Sequence, residues 1–455
     1  MFAQPGGSDP IWRPCDAERG QTRMEDRFDA IVVGAGPAGV TAARDLAAAG
    51  RAVVVLERGQ FPGAKNVSGG ILYRQPTEAM VPGFEAEAPL ERPIIEQKYM
   101  LLTAEDAIGL TYRTQQFARP PFNAYSVLRS PFDRWYASTA EAAGAEVYPE
   151  FTVTDLLWDD GQVVGISTGD PDGELLARSV VLADGANSLL SQKAGLRREF
   201  EPIEQALVAK ELIALPAATI EDRFALPPGM GTAYEIFGES TMGLLGYGFI
   251  YTNKESLSIG TGALLSDLIA TGYNVNDMLD RFKRHPAIAP LLAGGETIEY
   301  SAHLIPEGGY NRLGRLCGDG VVVVGDAAGL VNPVNREGAN LAMLSGRLAA
   351  QAIGEALAAD DLSAAGLSRY RELLDDSIVL DDLRKIRNVT DFAHARPYLL
   401  NDYPALLSDA MRTYLTVDST PKAAKYGKIA RKVLAGLPKR RSLGDAFDAW
   451  RLLLR

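Results

Sequence analysis

The chain has 455 residues, 47% of them hydrophobic and 23% charged, and a net charge of −12, which suits two or three packed regions of an ordinary globular protein. No apolar run reaches the roughly 18 residues that a membrane-spanning helix needs. Two cysteines (Cys15, Cys317) and three histidines (His285, His303, His394) are too few for a four-thiolate iron–sulfur cluster or a close Cys/His zinc site. A reducing, cytoplasmic setting fits the thiol inventory, and no nucleic-acid partner is expected of so acidic a body.

Residues 1–23 carry Pro5, Gly6, Gly7, Pro10 and Pro14 without the apolar centre of a signal peptide. They are expected to form a disordered extension, with Met24 a candidate start. Phe28–Val33 is a short apolar run that predicts a buried parallel strand. Gly34-Ala-Gly36-Pro37-Ala38-Gly39 follows and leads into an Ala/Leu-rich helix over Val40–Ala49, which Gly50 closes. A second strand, Ala52–Leu56, ends in Glu57-Arg58. In this pattern Gly34 permits a tight turn, Gly36 lets the backbone approach a pyrophosphate, and Gly39 lets helix pack on strand. The helix start offers unpaired N–H groups and a positive dipole end to phosphate. Glu57 lies eighteen residues after Gly39, where an acid bonds ribose hydroxyls and disfavours a 2′-phosphate. Strand, glycine turn, helix and acid together point to a dinucleotide.

Further along, Arg129-Ser-Pro-Phe-Asp133-Arg134 opens a helix ending at Gly144, which places Arg129 at the mouth of the cleft; Asp133 reads as a cap of that helix. Val153 follows in the next connection. Ala177–Ala183 is an apolar strand ending in Ala183-Asp184-Gly185. Lys210-Glu211 and Thr241–Gly262 read as strands covering the cleft, with a helix over Asn276–Arg284 outside them. Val321–Val324 is a second buried strand, running into Gly325-Asp326-Ala-Ala-Gly329, and a helix opens near Gly338-Ala339-Asn340. Two fingerprint halves almost 300 residues apart are typical of FAD proteins. There the strand-end aspartate takes the ribityl chain and a helix N-terminus faces the N1–C2=O edge of the flavin. FAD is therefore the expected cofactor, and no second GxGxxG is present to hold NAD separately. From Leu362 the chain is expected to be mostly helical. Between Pro421 and Arg455 stand ten basic residues against two acids, so the tail is +8 on a body of about −20. Such a tail suits an anionic lipid surface or an acidic protein.

Gly63-Ala-Lys-Asn66-Val-Ser68-Gly69-Gly70-Ile-Leu-Tyr73 resembles a loop of the FixC family, relatives of electron-transfer flavoprotein:quinone oxidoreductase. So do Ala124–Arg129, Glu221–Phe224, Phe249–Asn253, Glu299–His303 and Tyr403-Pro404. The resemblance covers nearly all of the chain after Met24. It implies an α/β fold of the glutathione-reductase type. A two-part FAD-binding Rossmann domain would come from 24–88, 125–200 and 315–360. An antiparallel-sheet substrate (quinone) domain would come from 89–124 and 201–314, and a helical region from 361–455. It adds Ser68, Gly69 and Gly70 to the expected FAD contacts. It implies electron transfer from the alpha and beta subunits of an electron-transfer flavoprotein, through a small ferredoxin-like (FixX-like) iron–sulfur subunit, to quinone. This chain would be the high-potential arm of an electron-bifurcating complex, peripherally attached to the cytoplasmic membrane. Single-chain relatives carry a four-cysteine cluster domain at the C-terminus; here any cluster is expected from a partner. Gly246 matches the first of two adjacent quinone-holding glycines in those relatives, whereas Tyr247 replaces the second. The segment Gly329–Gly338 is two residues shorter than the family loop and resembles the Pro-x-x-x-Glu-Gly form of other FAD reductases and hydroxylases. Two further readings share the fold: a geranylgeranyl-reductase-like enzyme, against which the absence of cysteine near Asn66–Gly69 counts, and a docking subunit without enzymatic activity.

Overall fold

The computed structural model describes residues 27–66, 69–171 and 173–436. Residues 1–26 with Cys15 and Met24, the loop residues Val67 and Ser68, and the tail from 437, with Lys439, Arg440 and Arg441, lie outside the described residues.

Runs of β-branched residues build the first layer. Ala30–Val33, Val53–Leu56, Val180–Leu182 and Val321–Val323 are all nearly inaccessible, as strands covered on both faces must be. The eight-stranded sheet runs Cys317–Gly318, Val321–Val323, Glu174–Leu182, Phe28–Val33, Val53–Glu57, Glu146–Pro149. The last five strands are parallel. A hairpin, Asp155–Asp159 with Gln162–Ser167, pairs onto the start of Glu174–Leu182. Val33 stands level with Leu56 on one side and Leu182 on the other, and Leu182 with Val323. The carboxyl ends of four strands therefore finish at one edge, and the residues following them are gathered there.

Helix Pro37–Ala48 packs on this sheet through Val40, Ala42, Ala43 and Leu46, all essentially inaccessible. Each large apolar side chain so buried contributes about 1.5–3 kcal/mol. The 21-residue helix Ala339–Ala359 crosses it closely: a Cβ on Gly346 would come within 2.1 Å of the Ala38 carbonyl oxygen. Only glycine lets these helices approach so far.

The second layer is a nine-stranded sheet in the order Glu296–Pro306, Gln205–Ala214, Ser256–Leu264, Gly246–Thr252, Gly231–Gly238, Leu90–Leu102, Ala124–Leu128, Gly69–Tyr73, with Ala107–Arg113 along Leu90–Leu102. One junction departs from the antiparallel sheet expected: Gly231–Gly238 runs parallel to Ile94–Leu102, because the intervening chain leaves to build the other layer. Gly69–Tyr73 and Ala124–Leu128, which apart from Ala124 fall inside the expected cofactor pieces, pair with each other in this sheet. Its strands alternate. Ala209, Ile213, Ile236, Ile250 and Ile259 pack against helices Ala217–Phe224 and Val275–Arg284, through Ile220, Phe224, Leu279 and Phe282. The opposite face carries Val208, Ala233, Phe249 and Tyr251 toward the first layer. Buried Arg92 ties the far edge together, donating to Asn253 O, Met230 O, Lys254 O and the Glu221 carboxylate at 2.5–3.0 Å.

Beyond the long helix, short helices from Ala364 to His394 lead to a hairpin of Asp402–Leu415 and Lys422–Gly436. Lys425 pairs with Asp418 at 2.9 Å and Lys432 with Asp409 at 2.6 Å, so part of the basic tail is neutralised within the hairpin.

Candidate functional site

The cleft lies between the carboxyl edge of the parallel sheet and the apolar face of the nine-stranded one. Gly34 has φ +103°, and a Cβ there would sit 2.4 Å from the Ala183 carbonyl oxygen. At Gly39 a Cβ would lie 2.1 Å from the Gly34 carbonyl oxygen. Both glycines are demanded by the protein itself. Gly36 is different: its backbone is ordinary (φ −78°) and nothing lies within 4 Å of its Cβ position. It caps helix Pro37–Ala48 without a side-chain hydrogen bond, leaving the first amides facing the open cradle. What a side chain at Gly36 would obstruct is a ligand, and amides with a helix dipole suit phosphate.

Glu57 is positioned by its own turn. Its carboxylate accepts from Ala35 N at 3.0 Å and Gly59 N at 2.7 Å, which anchors it beside the glycine turn. Arg58 next to it is exposed. Asp184 accepts from Leu190 N at 3.2 Å through one oxygen, while the other, Oδ1, is buried without a partner. Burial pushes this carboxyl up to about 6, against the pull of nearby amides and Arg58. An unpaired buried acceptor beside the cradle fits a donor on a bound group, such as a hydroxyl. Gly185 (φ +77°) turns the chain, and Ser188 donates to Ala327 O at 3.0 Å, joining this strand end to the Gly325–Ala328 turn. Gly325 N in turn donates to Ser345 Oγ at 2.9 Å. Asp326 is raised by burial, opposed by Arg129 and Lys210. Val153 is half-buried against the main core, after a segment whose Phe151 N bonds Glu57 O at 3.0 Å.

Asp133 does not cap its helix, whose N-cap is Leu128 without a side-chain bond. Its buried carboxylate instead holds Arg129 in a two-point fork, both contacts at 2.9 Å, and accepts from Asn66 Nδ2 at 2.7 Å. This ties Asn66 to Arg129. Gly69 is a packing glycine, since its Cβ would strike Val127 O at 1.9 Å, whereas Gly70 is open. Gly338 caps the helix that begins at Ala339, again without a side-chain bond, and buried Asn340 donates to Glu337 at 3.1 Å.

The expected quinone pair receives a different account. Gly246 is required because a Cβ there would lie 2.0 Å from Gly262 O on the neighbouring strand, a matter of sheet packing. Tyr247 points into the cleft within a run of rings, 6.2 Å from Phe237 and 6.4 Å from Phe249, which stacks on Tyr251 at 4.9 Å. Sequence reasoning passed over the polar groups beside them. Arg336, in the left-handed region at φ +59°, pairs with buried Glu235. Burial pushes Glu235 up to about 7 while Arg336 pulls it back, and burial alone pushes Glu307 up to about 8. The signal available was the alternation of Gly231–Gly238, which puts Glu235 on the face shared with Ala233. Among the described residues no group of three or more His, Cys, Asp or Glu could hold a metal.

These features belong to an FAD-dependent flavoprotein oxidoreductase. Residues 29–115 match the FAD dependent oxidoreductase family model, and 389–454 match the ETF-QO/FixC family C-terminal domain. The chain is similar to Protein FixC of Bradyrhizobium diazoefficiens, 47% identical over 439 residues, which covers 94% of this chain and 100% of that one. Protein FixC of Azotobacter vinelandii is 44% identical (94% and 99% covered), and that of Escherichia coli strain K12 is 42% identical (90% and 95%). The chain belongs to the FixC family. The fold is shared with a geranylgeranyl bacteriochlorophyll reductase-like protein of Thermoplasma acidophilum (TM-score 0.69, 20% identity, 92% and 99% covered). It is shared also with the myxobacterial halogenase CndH (TM-score 0.59, 20% identity, 90% of each chain). The cofactor is FAD, and the cradle at Gly36 and the free oxygen of Asp184 fit it.

Proposed function

We propose that this chain takes electrons from an electron-transfer flavoprotein, relayed by a ferredoxin-like iron–sulfur subunit, and delivers them to quinone as the high-potential arm of an electron-bifurcating complex. The observation that carries the reading is the end-to-end similarity to FixC proteins, with a match to the ETF-QO/FixC C-terminal domain over 389–454. FAD supplies the chemistry, accepting electrons singly and releasing a pair. The chain's residues would hold and shield it. Gly34–Gly39 and the helix start would hold the pyrophosphate, Glu57 the ribose, and Asp326 the ribityl chain. Ser68, Gly69, Gly70, Arg129, Val153 and Ala183–Gly185 would line the remainder, with Gly338–Asn340 at the flavin edge. Tyr247, Phe249 and Tyr251 offer an apolar aromatic wall suited to a flat ring, which favours Tyr247 over Gly246 in the quinone site. No helix among the described residues is long and apolar enough to cross a membrane. Attachment to the membrane surface is accordingly assigned to the basic tail, whose Lys439, Arg440 and Arg441 would meet anionic lipid.

The test is a gentle pull-down of the tagged full chain from its native host, with assays of FAD, iron and co-eluting proteins, followed by NADH-driven quinone reduction. Two flavoprotein subunits and a small iron–sulfur protein, with quinone reduction that needs all of them, support the reading. A chain that elutes alone with FAD and no iron, and that saturates isoprenoid double bonds, overturns it.

A further inference from the structure

Lys210 is a cation on the cleft side of the nine-stranded sheet, within electrostatic reach of Arg129 and Asp326, that has no hydrogen bond or ion pair among the described residues. It stands in Gln205–Ala214, level with Gly260 on one side and Ser301 on the other. Its neighbour Ala209 faces the helix-covered core, whereas Val208, two residues away, belongs to the cluster with Phe249 and Tyr251. Alternation therefore points Lys210 toward the cofactor side. Gly260 contributes no side chain to cover it, and its half-buried ammonium makes no hydrogen bond or ion pair among the described residues.

Two neighbouring cations already have partners, and Arg58 is exposed to water. Arg129 is held in its fork by Asp133, and Arg336 is paired with Glu235. His303, level with Val208 on the next strand, is pushed down to about 4 by burial, then by Lys210, Arg129 and Arg58, so it is neutral near pH 7. Asp326 is within electrostatic reach but forms no ion pair with it. Burial, then Arg129, lowers Lys210 itself to about 8, opposed by Asp133 and Asp326. A half-buried cation that the protein leaves unanswered is costly unless something anionic arrives. The fingerprint turn, with its own free amides, already answers the diphosphate.

We propose that the Lys210 ammonium lies against the ring system of the bound FAD and stabilises the negative charge that an added electron brings, raising the cofactor's reduction potential. In the step concerned FAD gains one electron, a reduced one-electron carrier protein loses one, and no proton is needed. Lys210 is a positioning residue for charge rather than a proton donor. The inference rests on FAD binding and deepens the proposed function, because a raised potential suits an acceptor.

The test is a stepwise dithionite titration of the FAD-loaded full chain against reference dyes, for the wild type, Lys210→Met and Lys210→Arg. The expected result is full FAD content in all three. Lys210→Met should lower the one-electron equilibrium constant at least tenfold, which is 59 mV for one electron, and Lys210→Arg should recover most of it. An unchanged potential in FAD-loaded Lys210→Met overturns the inference. Loss of FAD from either variant overturns it too, since the side chain would then serve binding itself. Neither result bears on the proposed partners, which the pull-down judges separately.

Discussion

The two sheets build their sides of the cleft by different means. At the edge of the parallel sheet the work is done by backbone: Gly34 and Gly39 are fixed by contacts of 2.4 Å and 2.1 Å that any Cβ would violate, whereas the Cβ position of Gly36 is clear of protein atoms. On the facing side the work is done by side chains: a line of aromatic rings, the Arg336–Glu235 pair and Lys210, which has no partner among the described residues. A backbone-built surface announces itself through glycines at fixed spacing. A side-chain-built surface depends on which residues distant strands bring level, and it tolerates many solutions.

The sharpest break of this comparison separates the two kinds of glycine. Gly39→Val drives methyl groups into the Gly34 carbonyl, Ala183 and Val32. It should cost about 3 kcal/mol or more in chemical unfolding of the apoprotein, with loss of FAD. Gly36→Val, three residues earlier, finds no protein atom within 4 Å of its Cβ. Its apoprotein should unfold within about 0.5 kcal/mol of wild type, while FAD affinity falls at least a hundredfold, about 2.8 kcal/mol. Equal damage to stability by both changes would show that Gly36 serves the fold and not a ligand.

The same contrast explains what was legible before the structure. The strand Phe28–Val33 is found where the apolar run places it, and Glu57 lies beside the turn, because both follow from local pattern. The helix expected at Asn276 starts at Val275, announced by the Asn274 cap. Asp133 was misread as a cap because its partner Asn66, far upstream, meets it only in the folded chain, although its i,i+4 spacing to Arg129 was there to be read. The packing role of Gly246 was not legible, because nothing in the sequence reveals that Gly262 O passes 2.0 Å from its Cβ position. Strand register decides such roles, and the register that sets Gly246 level with Ala263 is not written in either strand alone.

A smaller effect tests the junction of the two regions. Asp133 is buried and holds Arg129 and Asn66 together. Asp133→Ala should cost about 2 kcal/mol, less than a fully buried pair, because Arg129 can turn toward water. FAD affinity should fall as well if the fork aims Arg129 into the cleft. Stability lost with FAD affinity intact would confine Asp133 to the fold.

The smallest effect lies in the pH dependence of the side-chain surface. Burial pushes Glu307 up to about 8 from an ordinary 4.5. Between those values the folded chain keeps a proton that the unfolded chain releases. The contribution is therefore whole below about pH 4.5 and is lost as pH rises through the folded value. For one half-buried carboxyl it should amount to about 1–2 kcal/mol between pH 5 and pH 8. Glu307→Gln removes the titration but keeps the shape, so its stability should fall less than that of wild type over this window, and the two proteins should differ least at pH 5. If Glu307→Gln keeps the full wild-type slope, the carboxyl is solvated and charged at neutral pH, and the cleft face is wetter than its aromatic wall implies.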